Sequence, residues 1–402
     1  MEDLAFLPQL PLFVSQLLWF GLLLLAGLLA GELARAHARL PRVTGYVLVG
    51  AALGPEASGL LTRDMLFDLR LLIDLSIGIV VVELGFRLSL EWLQRNRWLS
   101  LAALAESALC FSAIFATLLA FGFRPLLAAM AAAIGTATSP AVITILASDL
   151  RAEGQVTERM LLFTAVNTVF AYVAVMLLLP FLHIEQGRGL ATALLHPVYV
   201  FAGSLALGWL ACRLLLVLAR WLGKREDRQF VLLVATVVLT IGVAHTLNFS
   251  VALALITLGV LARNRDRHHA LAPVRFGPAG QLFYVILFVL TGAGLEFRAF
   301  GVAALVAVAA FILVRFAGKA LAVVALAPST GLGVRAGGWL AVALLPLSGQ
   351  AVIMVRDTVT LYPSFGRELA AIVLSAVVVL ELIGPIATQI ALKRAGEARP
   401  DA

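Results

Sequence analysis

Five ionisable side chains stand inside long apolar segments of this sequence, and their types could bind ions or protons. Three are acidic, Glu83, Glu106 and Glu381, and two are basic, Arg315 and Lys319. Ionisable residues inside membrane segments are rare, unfavourable and commonly functional. Arg315 and Lys319 are four residues apart and therefore share one helix face. Because an isolated buried guanidinium is unfavourable, we expect Arg315 to have an acidic partner or to face water.

Two apolar segments contain Gly, Pro and hydroxyl residues in a pattern that is unusual for a plain helix. One carries Gly135-Thr136-Ala137-Thr138-Ser139-Pro140 and the other carries Leu345-Pro346-Leu347-Ser348-Gly349-Gln350. Pro removes an amide donor, Gly permits unusual dihedral angles, and the freed backbone groups must be buried or line a wet cavity. For either segment alone, a proline kink is favoured over a broken helix. Side-chain oxygens near these positions belong to Thr136, Thr138, Ser139, Ser348 and Gln350, although hydroxyl groups commonly bond to their own helix.

The elements that hold these residues must be membrane helices. Of the 402 residues, 62% are hydrophobic and only 13% are charged, which leaves too little polar surface for a soluble fold. This composition excludes soluble, disordered and disulfide-stabilised proteins, and it indicates a single membrane domain over 1–402. We interpret the net charge of +7 as the positive bias of cytoplasmic loops. The expected surroundings are therefore a lipid bilayer, with no nucleic-acid partner.

The predicted fold is all-α and polytopic, with about thirteen transmembrane helices of roughly 20 residues each. Twelve and fourteen spans are the alternatives. With the N-terminus outside, 20 of the 30 Lys and Arg residues fall on the cytoplasmic side and 7 on the other. This bias predicts a multi-pass protein of a bacterial inner membrane with a cytoplasmic C-terminus. The predicted spans are 12–33, 44–61, 69–88, 98–121, 125–148, 160–182, 197–219, 229–247, 249–262, 280–295, 300–327, 338–355 and 369–392.

The two interrupted segments are the fifth and the twelfth spans, one in each half of the chain. Because an offset of seven spans reverses orientation, the chain divides into two inverted repeats, 12–182 and 229–392, joined by a linker helix at 197–219. Interrupted helices at matching positions of an inverted repeat indicate a transporter with its site near the membrane midplane. The pair together favours two broken helices over two kinks.

Motifs in five spans carry a resemblance to a known family. They are Leu40-Pro41-Arg42-Val43-Thr44-Gly45-Tyr46-Val47-Leu48-Val49-Gly50 with Leu53-Gly54-Pro55, Gly85-Phe86, Thr138-Ser139-Pro140, Phe288-Val289-Leu290-Thr291-Gly292, and Glu381-Leu382-Ile383-Gly384-Pro385. In this order and spacing they resemble the second, third, fifth, tenth and thirteenth spans of monovalent cation:proton antiporters. These are sodium/hydrogen exchanger-like proteins of the second cation:proton antiporter family. The likeness extends from about residue 12 to residue 390.

The resemblance implies a homodimer of thirteen-span protomers that transports monovalent cations and protons and needs no cofactor. Each protomer would contain a dimerisation scaffold and a mobile core, formed by spans four to six and eleven to thirteen. The core would carry the ion by an elevator-like movement. In the family, an Asn-Asp or Asp-Asp pair in span six provides the Asp that binds cation and proton in turn. A buried Lys or Arg in span eleven, where Arg315 and Lys319 stand, would steady the core.

This sequence departs from the family pattern in span six, where the matching pair is Asn167-Thr168 and the Asp is absent. A threonine hydroxyl can be a ligand for a cation, but it cannot release a proton at useful pH. Either another acid performs the exchange or the protein is not a simple antiporter. Asn167 lies beside a predicted broken helix, so we favour a role in lining the site over a helix–helix hydrogen bond.

The three buried glutamates are the candidates for the missing acid, and each has a structural alternative. Glu83 either reaches the region of span six or pairs with Arg87, and the two interpretations have equal weight. Glu106 is expected to pair with Arg315, as a structural clasp rather than as a switchable carrier. Glu381 belongs to a motif that recurs in relatives with the Asp, so a structural role is favoured over transport.

Two functions follow from these observations. The first is a secondary active transporter that exchanges Na⁺ or K⁺ for protons by an elevator-like mechanism, and the full-length likeness favours it. The second is a non-exchanging relative, namely an ion channel, an anion or small-solute carrier, or a sensor, and the missing Asp favours it. We do not expect an enzyme, because the sequence contains no metal motif, no GxSxG element and no phosphate-binding loop. The only metal expected is the transported monovalent cation.

Overall fold

The computed structural model describes residues 16–187, 189–223, 225–266, 271, 277–295, 302–347 and 349–399. It describes the side chains in these ranges except at 16, 17, 92, 93, 226, 277–279 and 302–305. Within these ranges the chain forms α-helices joined by turns, with one 3₁₀ turn at Pro328–Thr330 and no strand. The predicted all-α class is confirmed.

The described residues contain seventeen α-helices. The first eight are α1 (Gln16–Ala38), α2 (Arg42–Leu53), α3 (Arg63–Asp68), α4 (Arg70–Arg87), α5 (Leu90–Arg95), α6 (Arg97–Ala120), α7 (Pro125–Thr136) and α8 (Pro140–Asp149). The others are α9 (Gln155–Glu185), α10 (Leu190–Leu222), α11 (Glu226–Thr246), α12 (Val251–Arg265), α13 (Gly277–Ala293), α14 (Val302–Leu326), α15 (Val334–Ala343), α16 (Gly349–Leu361) and α17 (Pro363–Ala395).

These helices reproduce the thirteen predicted spans. Eleven spans correspond to one helix each, whereas the fifth consists of α7 and α8 and the twelfth of α15 and α16. Eight segments of the described chain are long and apolar enough to cross a membrane, and the shorter apolar helices include α2 and Gly280–Ala293. The second span is shorter than predicted, because α2 ends at Leu53 before Gly54-Pro55. The short helices α3 and α5 lie between spans and were not predicted.

The buried side chains form two main apolar clusters that divide the helices into two bundles. One cluster is built mainly from α1, α2, α4 and α10–α13, which we call the scaffold bundle. The other is built mainly from α6, α7, α9, α14, α16 and α17. A third cluster adds α8 and α15 to this second group, which we call the core bundle. The core bundle therefore consists of spans four to six and eleven to thirteen, and α8 also packs against the scaffold bundle.

Glycines allow two scaffold helices, α2 and α13, to pack with their backbones in contact. A Cβ atom at Gly50 would collide with the carbonyl oxygen of Val289, and one at Gly292 would collide with that of Val47. Only a residue without a side chain permits this separation. The glycines of two motifs that carry the family resemblance therefore have a packing role in the scaffold bundle.

Candidate functional site

The interruptions of the fifth and twelfth spans contact each other inside the core bundle. Residues 137–139 separate α7 from α8, and the described residues 344–347 lie between the end of α15 and the start of α16 at Gly349. The backbone N–H of Ser139 donates to the carbonyl oxygen of Pro346 at 3.0 Å. The hydroxyl of Ser139 accepts from the N–H of Val142 at 3.4 Å and caps the N-terminus of α8. The two predicted broken helices are confirmed.

Arg315 is completely buried in α14 and binds carbonyl groups at both interruptions. On one side, its Nε donates to Gly135 at 2.7 Å and its Nη2 donates to Ala137 at 2.6 Å. On the other side, Nη1 donates to Leu345 at 2.7 Å and Nη2 reaches Pro346 at 3.4 Å. These carbonyls lie at the C-terminal ends of α7 and α15, where the helix dipoles are negative. Backbone carbonyls, and not the predicted acidic partner, accept these hydrogen bonds.

Lys319, one helical turn after Arg315, forms an ion pair with Glu106. Its Nζ lies 2.6 Å from Oε1 of Glu106, and both side chains are buried. Nζ also donates to the carbonyl of Thr136 at 2.9 Å and lies 3.3 Å from the hydroxyl of Thr138. The predicted pairing of Glu106 with Arg315 is therefore wrong in its partner. The guanidinium of Arg315 donates its hydrogen bonds to the carbonyls of the helix interruptions. The ammonium group of Lys319 therefore pairs with the carboxylate of Glu106.

The Asn167-Thr168 pair of α9 connects both interruptions through side-chain hydrogen bonds. Oδ1 of Asn167 accepts from Ser107 at 2.8 Å, and its Nδ2 donates to the hydroxyl of Thr138 at 3.1 Å. The hydroxyl of Thr168 lies 3.2 Å from Oε1 of Gln350, near the start of α16. Both residues are buried. The pair therefore lies beside the helix interruptions and is joined to them by neutral polar groups.

Glu83 lies in α4 of the scaffold bundle, and other side chains bind both of its carboxylate oxygens. Oε1 lies 3.0 Å from Nη2 of Arg87, and Oε2 accepts from the hydroxyl of Tyr284 at 2.9 Å. The same hydroxyl lies 3.2 Å from that of Thr144 in α8. Of the two interpretations of Glu83, the geometry matches the pair with Arg87.

Glu381 differs from Glu83 and Glu106 because nothing in the described part of the chain binds its carboxyl group. The residue is 1% exposed, and neither oxygen has a hydrogen-bond partner there. A Cβ atom on Gly384, one turn later, would lie 2.8 Å from Cα of Pro346, so α17 packs directly against the interruption between α15 and α16. The motif around Glu381 thus combines close backbone packing with an acid that is free of protein ligands.

Glu381 lines a small cavity between the two bundles. The volume is about 10 Å³, which is near the lower limit for one water-sized occupant. Core-bundle residues supply three of its polar lining side chains, Ser139, Gln350 and Glu381, and Thr291 of α13 supplies the fourth. Much of the remaining wall is apolar and comes from α4 and α13 of the scaffold bundle.

The remaining predicted site residues surround the same interruptions. A Cβ atom on Gly135 would lie 2.6 Å from the ring of Phe311, and the hydroxyl of Thr136 donates to its own helix. Pro140 is the first residue of α8, and Gly349, the first of α16, also lines the cavity. Ser348 lies outside the described residues.

The sequence pattern did not single out Ser107 and Thr291 as site residues, although both lie in segments with a signal. Ser107 follows Glu106 directly, and Thr291 belongs to a motif that carries the family resemblance. Polar residues next to a buried acid or inside such a motif were the available signals.

Comparisons with known proteins agree with this architecture. Residues 20–394 match the family described as "Sodium/hydrogen exchanger, transmembrane". A structure of the sodium proton antiporter MjNhaP1 from Methanocaldococcus jannaschii at pH 8 is 13% identical and aligns with a TM-score of 0.65, over 95% of this chain and 96% of that one. An electron-microscopy structure of the same antiporter is 14% identical with a TM-score of 0.67, over 96% and 100%. At these identities the structures show a shared fold. A search of curated proteins finds no match.

Proposed function

Because the chain belongs to the sodium/hydrogen exchanger family, we propose that it is a secondary active transporter that exchanges Na⁺ for protons across a membrane. The observation that carries this proposal is the small cavity beside both helix interruptions, at the boundary between the two bundles. Its polar lining residues offer hydroxyl, amide and carboxyl oxygens, and hard cations prefer oxygen ligands. K⁺ and Li⁺ are the alternative cations.

An elevator-like movement of the core bundle fits the distribution of residues around the cavity. Ser139, Gln350 and Glu381 belong to the core bundle, whereas Ile77, Val80, Val81, Leu287 and Phe288 form an apolar wall on the scaffold bundle. An occupant held by the core residues would pass this wall if the core bundle slides along the scaffold. The wall would then separate the two aqueous sides, as alternating access requires.

The proposed location is a bacterial inner membrane, with the N-terminus outside and the C-terminus in the cytoplasm.

The proposed assembly is a homodimer. Along α1, exposed leucines recur at intervals of three or four residues, namely Leu18, Leu22, Leu25, Leu29 and Leu33. Such a stripe is typical of helices that pack against a second helix. Lipid would also contact such a face, so cross-linking of a Leu25→Cys variant in membranes tests the dimer. Disulfide-linked dimers are the expected product, and exclusively monomeric protein contradicts this interface.

Reconstitution of the purified protein into vesicles tests the exchange directly. Acid-loaded vesicles containing a pH-sensitive dye receive external Na⁺, K⁺ or Li⁺ in parallel samples. We expect Na⁺ to make the lumen more alkaline in vesicles with the protein and not in protein-free vesicles. Absence of a dye response to all three cations contradicts the proposed function.

A further inference from the structure

We propose that the carboxyl group of Glu381 binds the proton and the cation in turn, in place of the acid that Asn167-Thr168 does not provide. This inference rests on the proposed exchange function. It assigns transport to a residue whose motif favoured a structural role.

The other two glutamates are engaged by positively charged partners, and of these only Glu106 is buried. Glu83 binds Arg87 and Tyr284, and Glu106 forms a 2.6 Å ion pair with Lys319. A carboxylate that already has a fixed cation gains little from binding a second one. Both oxygens of Glu381 are buried and without a hydrogen-bond partner in the described residues. Of the three, only Glu381 has both carboxyl oxygens without a partner in the described residues, whereas Glu106 has one such oxygen, Oε2, beside its ion pair with Lys319.

Among the described residues that line the cavity with Glu381, three have side chains with hydroxyl or amide oxygens, and none of them is charged. The cavity is lined by the side chains of Ser139, Thr291 and Gln350, and no other ionisable residue of the described chain lines it. Oε1 of Gln350 binds the hydroxyl of Thr168, whereas its Nε2 has no hydrogen-bond partner in the described residues. Rotation of the amide by half a turn would direct Oε1 away from Thr168, and Nε2 would lose no hydrogen bond. The space of about 10 Å³ is near the lower limit for a single water-sized occupant.

The helix dipoles at the two interruptions divide into two pairs of opposite sign. Arg315 neutralises the carbonyl ends of α7 and α15 through four hydrogen bonds. The opposite ends, the N-termini of α8 and α16, begin at Pro140 and Gly349, and both residues line the cavity with Glu381. Helix N-termini favour a negatively charged group. Arg315 thus binds the C-terminal ends of α7 and α15, and Glu381 lies beside the N-terminal ends of α8 and α16.

This placement couples occupancy to movement of the core bundle. An empty carboxylate facing Ile77, Val80 and Phe288 would have to pass an apolar wall as a charge without a counter-ion, which is unfavourable. A proton or a cation on Glu381 removes that charge. The core bundle would therefore move readily only when one of the two is bound, and this condition makes the exchange obligatory.

Vesicle exchange by matched glutamine variants tests the assignment. Glu381→Gln should reduce the Na⁺-driven dye response to the level of protein-free vesicles, whereas Glu83→Gln, the same change at an engaged glutamate, should retain a response close to that of the wild type. Full exchange by Glu381→Gln overturns the assignment and leaves the exchange function intact. Loss of exchange in Glu106→Gln together with full exchange in Glu381→Gln would make Glu106 the carrier.

Proton release separates a carrier from a structural residue and does not require exchange. In weakly buffered detergent solution, Na⁺ should displace about one proton per wild-type protomer, since a ligand that competes with protons releases them on binding. Glu381→Gln should release none. Release by this variant equal to that of the wild type, or absence of release from the wild type, overturns the assignment. A wild type that releases protons but does not exchange contradicts the proposed function alone.

Carbodiimide labelling of the wild-type protein covers the case in which Glu381→Gln does not fold. A hydrophobic carbodiimide reacts with protonated carboxyl groups in apolar surroundings, and peptide mass spectrometry locates the product. We expect labelling of Glu381 that decreases when Na⁺ is added. Labelling of other glutamates without Glu381, or labelling of Glu381 that Na⁺ does not change, contradicts the proposal.

Discussion

The ammonium nitrogen of Lys319 lies 2.6 Å from Oε1 of Glu106, and both side chains are excluded from solvent. At the protein surface, Arg95 and Glu91 form an ion pair at the same distance, with 76% and 73% of their side chains exposed. The two pairs therefore differ in burial and not in separation. Removing one partner of a buried pair leaves an uncompensated charge in a medium of low dielectric constant, whereas water screens the surface pair.

The first prediction concerns this difference in burial. Lys319→Met should lower the free energy of unfolding by about 3–5 kcal/mol, because Glu106 loses its counter-charge inside the core bundle. Equilibrium unfolding in mixed detergent micelles measures the change. A double variant, Lys319→Met with Glu106→Leu, should recover most of the loss, since no isolated charge remains.

Arg95→Gln is the matched control for the lysine variant. It breaks an ion pair of the same length at an exposed position, so its free energy of unfolding should equal that of the wild type within error. Equal destabilisation by Lys319→Met and Arg95→Gln would mean that the Lys319–Glu106 pair is solvated in solution and does not clamp the core bundle.

The second prediction separates the charge of Arg315 from its geometry. Arg315→Lys keeps the positive charge, but a single ammonium nitrogen cannot reach carbonyls on both interruptions as the guanidinium fork does. We expect a loss of about 1–3 kcal/mol for each buried carbonyl left without a donor. Thermal unfolding in detergent provides the measurement. Wild-type stability of Arg315→Lys would show that charge alone holds the two interruptions together.

Sequence patterns were sufficient to predict the spans and their interruptions, because hydropathy and helix-breaking residues act locally. The partner of Glu106 could not be predicted in the same way. Arg315 and Lys319 share one face of α14, so either could reach a carboxylate on α6, and only the carbonyls of the interruptions decide between them. The carbonyls of Gly135 and Ala137 precede Arg315 by 180 and 178 residues, and that of Leu345 follows it by 30 residues.

The role of Glu381 could not be predicted from the sequence either. A structural role was favoured because its motif recurs in relatives that keep the Asp, and Gly384 of that motif does pack against Pro346. Whether a carboxyl group has partners depends on α8, α13 and α16, which meet only in the folded chain. The sequence motif therefore identified the segment correctly but could not distinguish its packing residue from its available acid.

The third prediction concerns the contact between the end of the chain and the core bundle. Glu397 accepts hydrogen bonds from the N–H groups of Val156 and Thr157 at 2.8 and 2.7 Å, at the N-terminus of α9. Glu397→Ala should expose these amides, and hydrogen exchange followed by mass spectrometry should be faster in this first turn. Loss of such a cap weakens a helix end by about 1 kcal/mol. Glu153→Ala is the control, because the side chain of Glu153 is 80% exposed and its only ion pair in the described residues, with Arg399, is long at 3.5 Å. Unchanged exchange in Glu397→Ala would exclude a capping role.

The fourth prediction tests whether close backbone contact holds α2 against α13. A Cβ atom at Gly50 would collide with the carbonyl group of Val289 and lie 3.0 Å from the backbone nitrogen of Ala293. Neither neighbour is a flexible side chain, so the two helices must separate. Gly50→Ala should therefore destabilise the scaffold bundle by about 1–3 kcal/mol, as overpacking does elsewhere.

Gly242→Ala in α11 is the opposing control for this substitution. No atom lies within 4 Å of a Cβ atom built on Gly242, so alanine there should stabilise the helix by up to about 1 kcal/mol through its higher helix propensity. Thermal unfolding of both variants in the same detergent measures the two effects with opposite signs. If Gly50→Ala instead stabilises the protein as Gly242→Ala does, α2 and α13 are separated by more than the backbone contact described, and the glycines of both motifs act through propensity alone.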